Sequence, residues 1–151
     1  MVVELDEIIY AALTANTELS SLAGGIHSTC IEVPPTDADN TPLPYIIITD
    51  DPFQNQTGTK DNVWEGDVDS VQAGVEIAAD SPKEVKRLRR LVRKAVANYI
   101  ETAELDNVPY LQNLTNDGIA WDWTKPCYYD TLHYQCDMYF PIDDDNEQNE
   151  G

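Results

Sequence analysis

Three cysteines, two histidines and 28 acidic residues are the groups in this 151-residue chain that could serve as nucleophiles, metal ligands or general acids and bases. Their spacing sets up none of those reactions. Cys30, Cys127 and Cys136 form no Cys-x-x-Cys pair, and His27 and His133 are far apart in sequence, so no local motif assembles the four convergent ligands of a zinc site. A site drawn from His27, Cys30 and His133 would need long-range convergence, and buried, reduced thiols are the simpler reading. There is no nucleophile elbow, no glycine-rich phosphate loop and no paired-histidine zinc helix. Gly24-Gly25 leads into a strand pattern, not a helix, and so lacks the setting that cradles phosphate. With carboxylates this abundant, any apparent pair says little, because acid–base work needs a pocket that shifts a pKa. The sequence reads as a non-enzyme with no cofactor and no metal.

The informative spacing is cationic. Seven of the nine basic residues fall in one segment, Lys83, Lys86, Arg87, Arg89, Arg90, Arg93 and Lys94, while the whole chain carries a formal charge of −19. Glu84 is the only acid between Lys83 and Lys94. Like charges at helical i, i+4 spacing, as in Lys86, Arg90 and Lys94, repel one another, and a nearby anionic surface would relieve them. Lys83, Lys86, Arg87, Arg90, Arg93 and Lys94 lie off the apolar stripe of the segment and are the candidate subunit-interface residues. A solvated helix face is the plain alternative; DNA and the chain's own acidic loops are other anionic partners. Another copy of an acidic protein suits the arginines, whose planar fork pairs bidentately with carboxylates. Net acidity disfavours nucleic acid. It is also compatible with a high-salt host or with DNA mimicry.

The elements that must position these residues follow from periodicity. Leu5, Ile8, Ile9, Ala12 and Leu13 predict an amphipathic helix over 3–13, with Glu4, Asp6 and Glu7 off its apolar stripe and favourably placed at the positive end of its dipole. A short helical piece over 17–23 ends at Gly24-Gly25. Strands are expected over 26–33, ended by Pro34-Pro35, over 44–49, with apolar residues on both faces, and over 68–79, with Val63 and Trp64 as an extension. Between the last two, a polar interaction loop is expected from Asp51 to about Asn62. Ser81-Pro82-Lys83-Glu84 is a strong helix start, with Ser81 as cap and Glu84 completing a capping box. That helix should run to about Ile100, burying Val85, Leu88, Leu91, Val92, Ala95, Val96 and Tyr99. After a loop containing Pro109, a hairpin over 118–123 and 128–140 should close the fold, with Leu132, Tyr134, Cys136, Met138 and Phe140 alternating against Thr131, His133, Gln135 and Asp137. Trp64, Trp121, Trp123, Tyr128, Tyr129 and Tyr134 read as core and sheet-face residues, of types also favoured at interfaces.

The expected fold is α+β, a mainly antiparallel sheet with the two main helices packed together on one face. A single domain should span residues 1–142, followed by an acidic, disordered tail over 143–151. No apolar run approaches the roughly 20 residues that span a bilayer, and the N-terminus lacks the basic start of a secretory signal, so a cytoplasmic protein without membrane contact is expected.

In this order of elements, the chain resembles the tail-terminator (tail-completion) family of long-tailed bacteriophages. The likeness rests on the first helix running into Leu22-Ala-Gly-Gly-Ile26 and on the proline-led strand Pro42-Leu-Pro-Tyr-Ile-Ile-Ile48. It rests also on the passage Val75-Glu-Ile-Ala-Ala-Asp-Ser-Pro-Lys-Glu-Val85 into a long helix, and on the closing strand Tyr129-Asp-Thr-Leu-His-Tyr-Gln-Cys-Asp-Met-Tyr139. The resemblance covers residues 3–142 and is one of pattern, with no catalytic residues to carry over. It implies a virion protein, assembled in the host cytoplasm, that forms a homohexameric ring. Such a ring caps the tail tube, ends its polymerisation and docks the head–neck connector, while viral DNA passes through the lumen without sequence-specific binding. The high acidity, the polar loop and the acidic tail depart from the family pattern. The competing expectation is a small acidic binding module, an inhibitor or DNA mimic acting on a basic host protein.

Overall fold

The computed structural model describes residues 2–29, 42–56 and 66–141. The elements are α1 (Leu5–Ala15), α2 (Thr17–Ser20), β1 (Ile26–Ser28), β2 (Tyr45–Asn55), β3 (Val68–Ala79), α3 (Pro82–Thr102), β4 (Tyr110–Asn116), β5 (Ala120–Asp122) and β6 (Cys127–Tyr139). The architecture is α+β. Six strands form one sheet in the order β1-β2-β3-β6-β4, and β5 also pairs with β6. Every pairing is antiparallel except β1 with β2. β5 takes residues 127–129 of β6 and β4 takes 132–137, so the two follow one another along the same edge of β6.

The core forms because alternate strand residues share a face. Val71, Ala73, Val75, Ile77 and Ala79 of β3 and Leu132, Tyr134, Cys136 and Met138 of β6 lie in one buried cluster. The same cluster takes in Leu5, Ile8, Ile9 and Leu13 of α1 and Val85, Leu88, Val92 and Val96 of α3. A smaller cluster of Tyr45, Ala78 and Cys127 is flanked by Leu43, Ile47 and Tyr129. α1 touches α3, β1, β2 and β3, and α3 touches β3 and β6. The two helices run in opposite directions. Glu18, just beyond α1, pairs with Arg87 near the start of α3, whereas Leu5 at the start of α1 shares a groove with Val96 and Ile100 near its end.

α3 begins as its sequence dictates. Ser81 Oγ accepts the Glu84 backbone N–H at 3.2 Å, and Pro82 occupies the first turn. Both oxygens of Glu84 go to Arg87 instead of back to Ser81. Gly24 is a packing requirement and not the helix stop expected of it, because α2 already ends at Ser20 with Ser21 as its C-cap. A Cβ there would lie 2.0 Å from the Pro42 carbonyl oxygen.

Four expectations need correction. β2 does not end before Asp51; it runs on to Asn55, with an irregularity between Asp51 and Gln54 that leaves Pro52 and Phe53 out of the ladder. Proline cannot donate to a ladder, so it is tolerated at such a bulge. Residues 110–116 form a strand, not part of a loop. Asp6 lies inside, at 3% exposure, although its spacing placed it off the apolar stripe. Trp123 is not a core residue, being 86% exposed. Residues 30–33 of the strand expected over 26–33, residues 57–62 of the loop expected from Asp51 to about Asn62, Val63, Trp64, Cys30 and the tail over 143–151 lie outside the described residues.

α3 is also pinned by charge. Arg89 Nη1 donates to Asp130 Oδ2 at 2.7 Å, and that buried carboxylate accepts further hydrogen bonds from Asn116 Nδ2 and the Gly118 N–H, both at 2.9 Å. Arg89 and Arg90 are neighbours with opposite duties, since Arg90 is exposed with no ion pair among the described residues. Removing the Arg89 charge strands a buried carboxylate, so Arg89→Met should destabilise the fold by about 3 kcal/mol. Arg90→Met should stay within about 0.5 kcal/mol of wild type. Urea denaturation of the two variants checks the contrast.

Candidate functional site

The candidate interface residues come from one helix, and their fates differ. Arg87 is engaged within the chain, with Glu84 at 2.7 Å and Glu18 at 3.0 Å, and those carboxylates push its pKa up further. Lys83, Lys86, Arg90, Arg93 and Lys94 are exposed and form no ion pair among the described residues. At 100° per residue these five fall within an arc of about 100°, turned away from the Val85–Leu88–Val92–Val96 side. From residue 83 to residue 94 the stripe runs about 16 Å. It is a rigid, one-signed ridge.

The end of the ridge borders an apolar groove. Arg93 and Lys94 share it with Val96, Ala97, Ile100, Pro109, Leu111 and Tyr134, around a volume of about 350 Å³. β4 supplies its far wall. The Tyr134 hydroxyl is buried there without a hydrogen-bond partner, and burial raises its pKa to about 12 despite the opposing charge of Arg93. Leu111 and Tyr110 on this edge strand are 52% and 71% exposed. Trp123 is exposed on the hairpin, edge-on to Trp121 with ring centroids 5.7 Å apart.

A second charged site, of opposite sign, was not foreseen. Glu4, Asp6 and Glu7 at the start of α1 meet Asp50 of β2 and Asp69 of β3 around a pocket of about 700 Å³, walled by Phe53, Val71 and Phe140. Burial, followed by the charges of Asp50, Asp6 and Glu7, holds the Glu4 carboxyl above its ordinary value. Asp50 is raised by burial and by Asp6 and Asp51. Asp69 accepts from Asn55 Nδ2 at 2.6 Å. Asp6, at 3% exposure, lines the same pocket. Five carboxylates around one space repel one another, and the positive end of α1 offsets only part of that repulsion. The signal available in sequence was the acid triplet itself; what it lacked was the two strands that close over it.

The remaining described titratable groups sit in separate contacts. Lys125 Nζ stands 3.9 Å over the Tyr45 ring. Burial first, then Asp122 and Glu76 outweighing Lys125, holds the Cys127 thiol up, and burial raises Cys136 to about 11, so both are protonated thiols at neutral pH. His27 Nε2 lies 2.7 Å from the Gly24 carbonyl, while His133 Nε2 lies 2.9 Å from Asp117, so the structure does not bring the two histidines to common ligands. Among the described residues, no group of three or more His, Cys, Asp or Glu is placed to hold a metal ion. No helix among them is long and apolar enough to cross a membrane. Compared with protein-family models and with curated proteins, the chain matches none. The two charged surfaces are the features of the molecule most suited to recognition.

Their titration has a readable sign. Glu4, Asp50 and Glu76 have raised folded-state pKa values, so the fold gains stability as pH falls through them. Glu84, Asp122 and Asp130 have lowered values, so their stabilisation is present above about pH 4 and is lost as pH falls through the folded values. For Asp130, burial opposes this, but the Asn116 and Arg89 hydrogen bonds and the Arg89 charge outweigh it. Stability to urea should rise from pH 8 to a maximum near about pH 5 and fall below about pH 4. In Asp130→Asn the acid limb should be shallower.

Proposed function

We propose that this is a structural virion protein of the tail-terminator type, acting as a homo-oligomeric ring. The ring caps the tail tube, ends its polymerisation and joins it to the head–neck connector. By analogy with the family it resembles, it is a hexamer with DNA passing through its lumen. The observation that carries the self-assembly reading is the stripe of five exposed cations, Lys83, Lys86, Arg90, Arg93 and Lys94, unpaired among the described residues, on a chain of net charge −19. A solvated face gains nothing from such clustering, and an acidic neighbour relieves it. The element order supports the family reading: a first helix, a proline-led strand, a strand passing directly into a long helix, and a long closing strand. An acidic body also suits a lumen through which DNA must slide without sticking.

A ring of identical copies needs a heterologous contact whose rotation closes. A basic ridge on one side and acids on another supply two different surfaces of that kind. The competing reading, an acidic module that captures a basic host protein, uses the acids and leaves the ridge without a role.

Charge reversal on the ridge separates the two readings. Arg90→Glu/Arg93→Glu should weaken self-association by about tenfold or more while the monomer keeps wild-type circular dichroism. Unchanged sedimentation of the double variant would exclude the ridge as a subunit contact.

A further inference from the structure

The five unpaired cations and the acidic pocket are complementary, yet they do not meet within one chain. Among the described residues, no stripe cation pairs with Glu4, Asp6, Glu7, Asp50 or Asp69. The pocket opens at the start of α1, and the antiparallel packing sets that end beside the last turns of α3. Lys83 lies about 26 Å along the α3 axis from Ile100, so the front of the stripe is at the other end of the helix pair. Arg93 and Lys94 are nearer, about 10 Å and about 9 Å from Ile100 along the axis, and they share a groove with Leu5 without pairing with these acids among the described residues.

The pocket asks for an organic cation. Asp6 is 3% exposed and lines the pocket, and none of the described residues that line it is cationic. No metal-ligand grouping is present among the described residues, and a volume of about 700 Å³ with apolar walls suits the long stem and charged head of arginine or lysine. Phe53, 64% exposed at the same pocket, is an aromatic side chain left open among the described residues. The groove of Val96, Ala97, Ile100 and Leu111 beside Arg93 and Lys94 is a socket without an occupant.

We infer that the acidic pocket of one copy receives the α3 stripe of a second copy, with Arg90, Arg93 and Lys94 facing Glu4, Asp6 and Asp50, and with Phe53 seated against the groove beside Arg93. This rests on the self-assembly reading and names the surface that completes it. The contact is heterologous: each copy offers one ridge and one pocket, so every copy joins two neighbours. The pocket is incomplete without the neighbour, because the counter-charge to Asp6 comes from it.

The test is a charge swap on the full chain, read by sedimentation velocity at low salt. Glu4→Lys/Asp50→Lys and Arg90→Glu/Arg93→Glu should each weaken self-association about tenfold or more, and the quadruple variant carrying both pairs should recover to within about threefold of wild type. A mixture of the two double variants should co-assemble with alternating copies, through one native and one swapped contact per pair. Circular dichroism of each variant confirms a folded chain before it is scored. If the ridge variant loses association while the pocket variant keeps it, the self-assembly reading stands and the pocket assignment is overturned. If both lose it and the quadruple variant stays dissociated, the pairing of pocket with ridge is overturned. A wild-type chain that stays monomeric, with a polyamine such as spermidine binding at the pocket instead, overturns both.

Discussion

α3 must bury Val85, Leu88, Val92 and Val96 against the sheet, and that requirement decides where every charge on the helix goes. A helix has one buried side, so residues off it at helical spacing are forced outward together. Arg89 falls at the margin and meets the buried carboxylate of Asp130. Arg87 falls on the other flank and reaches Glu84 and Glu18. The remaining five cations have no such option. The stripe is thus a consequence of core packing, and its rigidity comes from the same packing.

The opposing surface has a parallel origin. α1 buries Leu5, Ile8, Ile9 and Leu13, which draws its first turn down onto β2 and β3. Asp50 and Asp69 of those strands then come up beside Glu4 and Asp6. Burial first, and then the neighbouring like charges, hold the Glu4 and Asp50 carboxyls above their ordinary values. Among the described residues, folding leaves two charge concentrations of opposite sign that do not pair with one another. The proposed stacking of ridge on pocket would satisfy both.

Much of this was legible in sequence where local signals agreed. β3 is read correctly at both ends, because Val71, Ala73, Val75, Ile77 and Ala79 alternate and Asp80-Ser81-Pro82 stops the strand. The start of α3 is written in Ser81-Pro82, and the alternation of β6 from Thr131 to Met138 holds throughout. β4 was hidden because Tyr110–Asn116 is an edge strand, exposed along almost its whole length, so no face had to be apolar. The extension of β2 was hidden by Pro52, which reads as a terminator unless the partner strand's register is known. The ridge was visible as composition. The pocket was not, because Asp6 looks solvent-facing until two strands from elsewhere in the chain close over it.

The central claim is that identical copies associate through opposite charges, and the mass of the purified protein in solution tests it most directly. Light scattering or native mass spectrometry should find a closed, multi-chain species at low salt, near six copies by analogy with the family. That species should dissociate as ionic strength rises past the point where the screening length falls to about 3 Å, near 1 M salt. A chain that remains monomeric at low salt and high protein concentration would contradict the account.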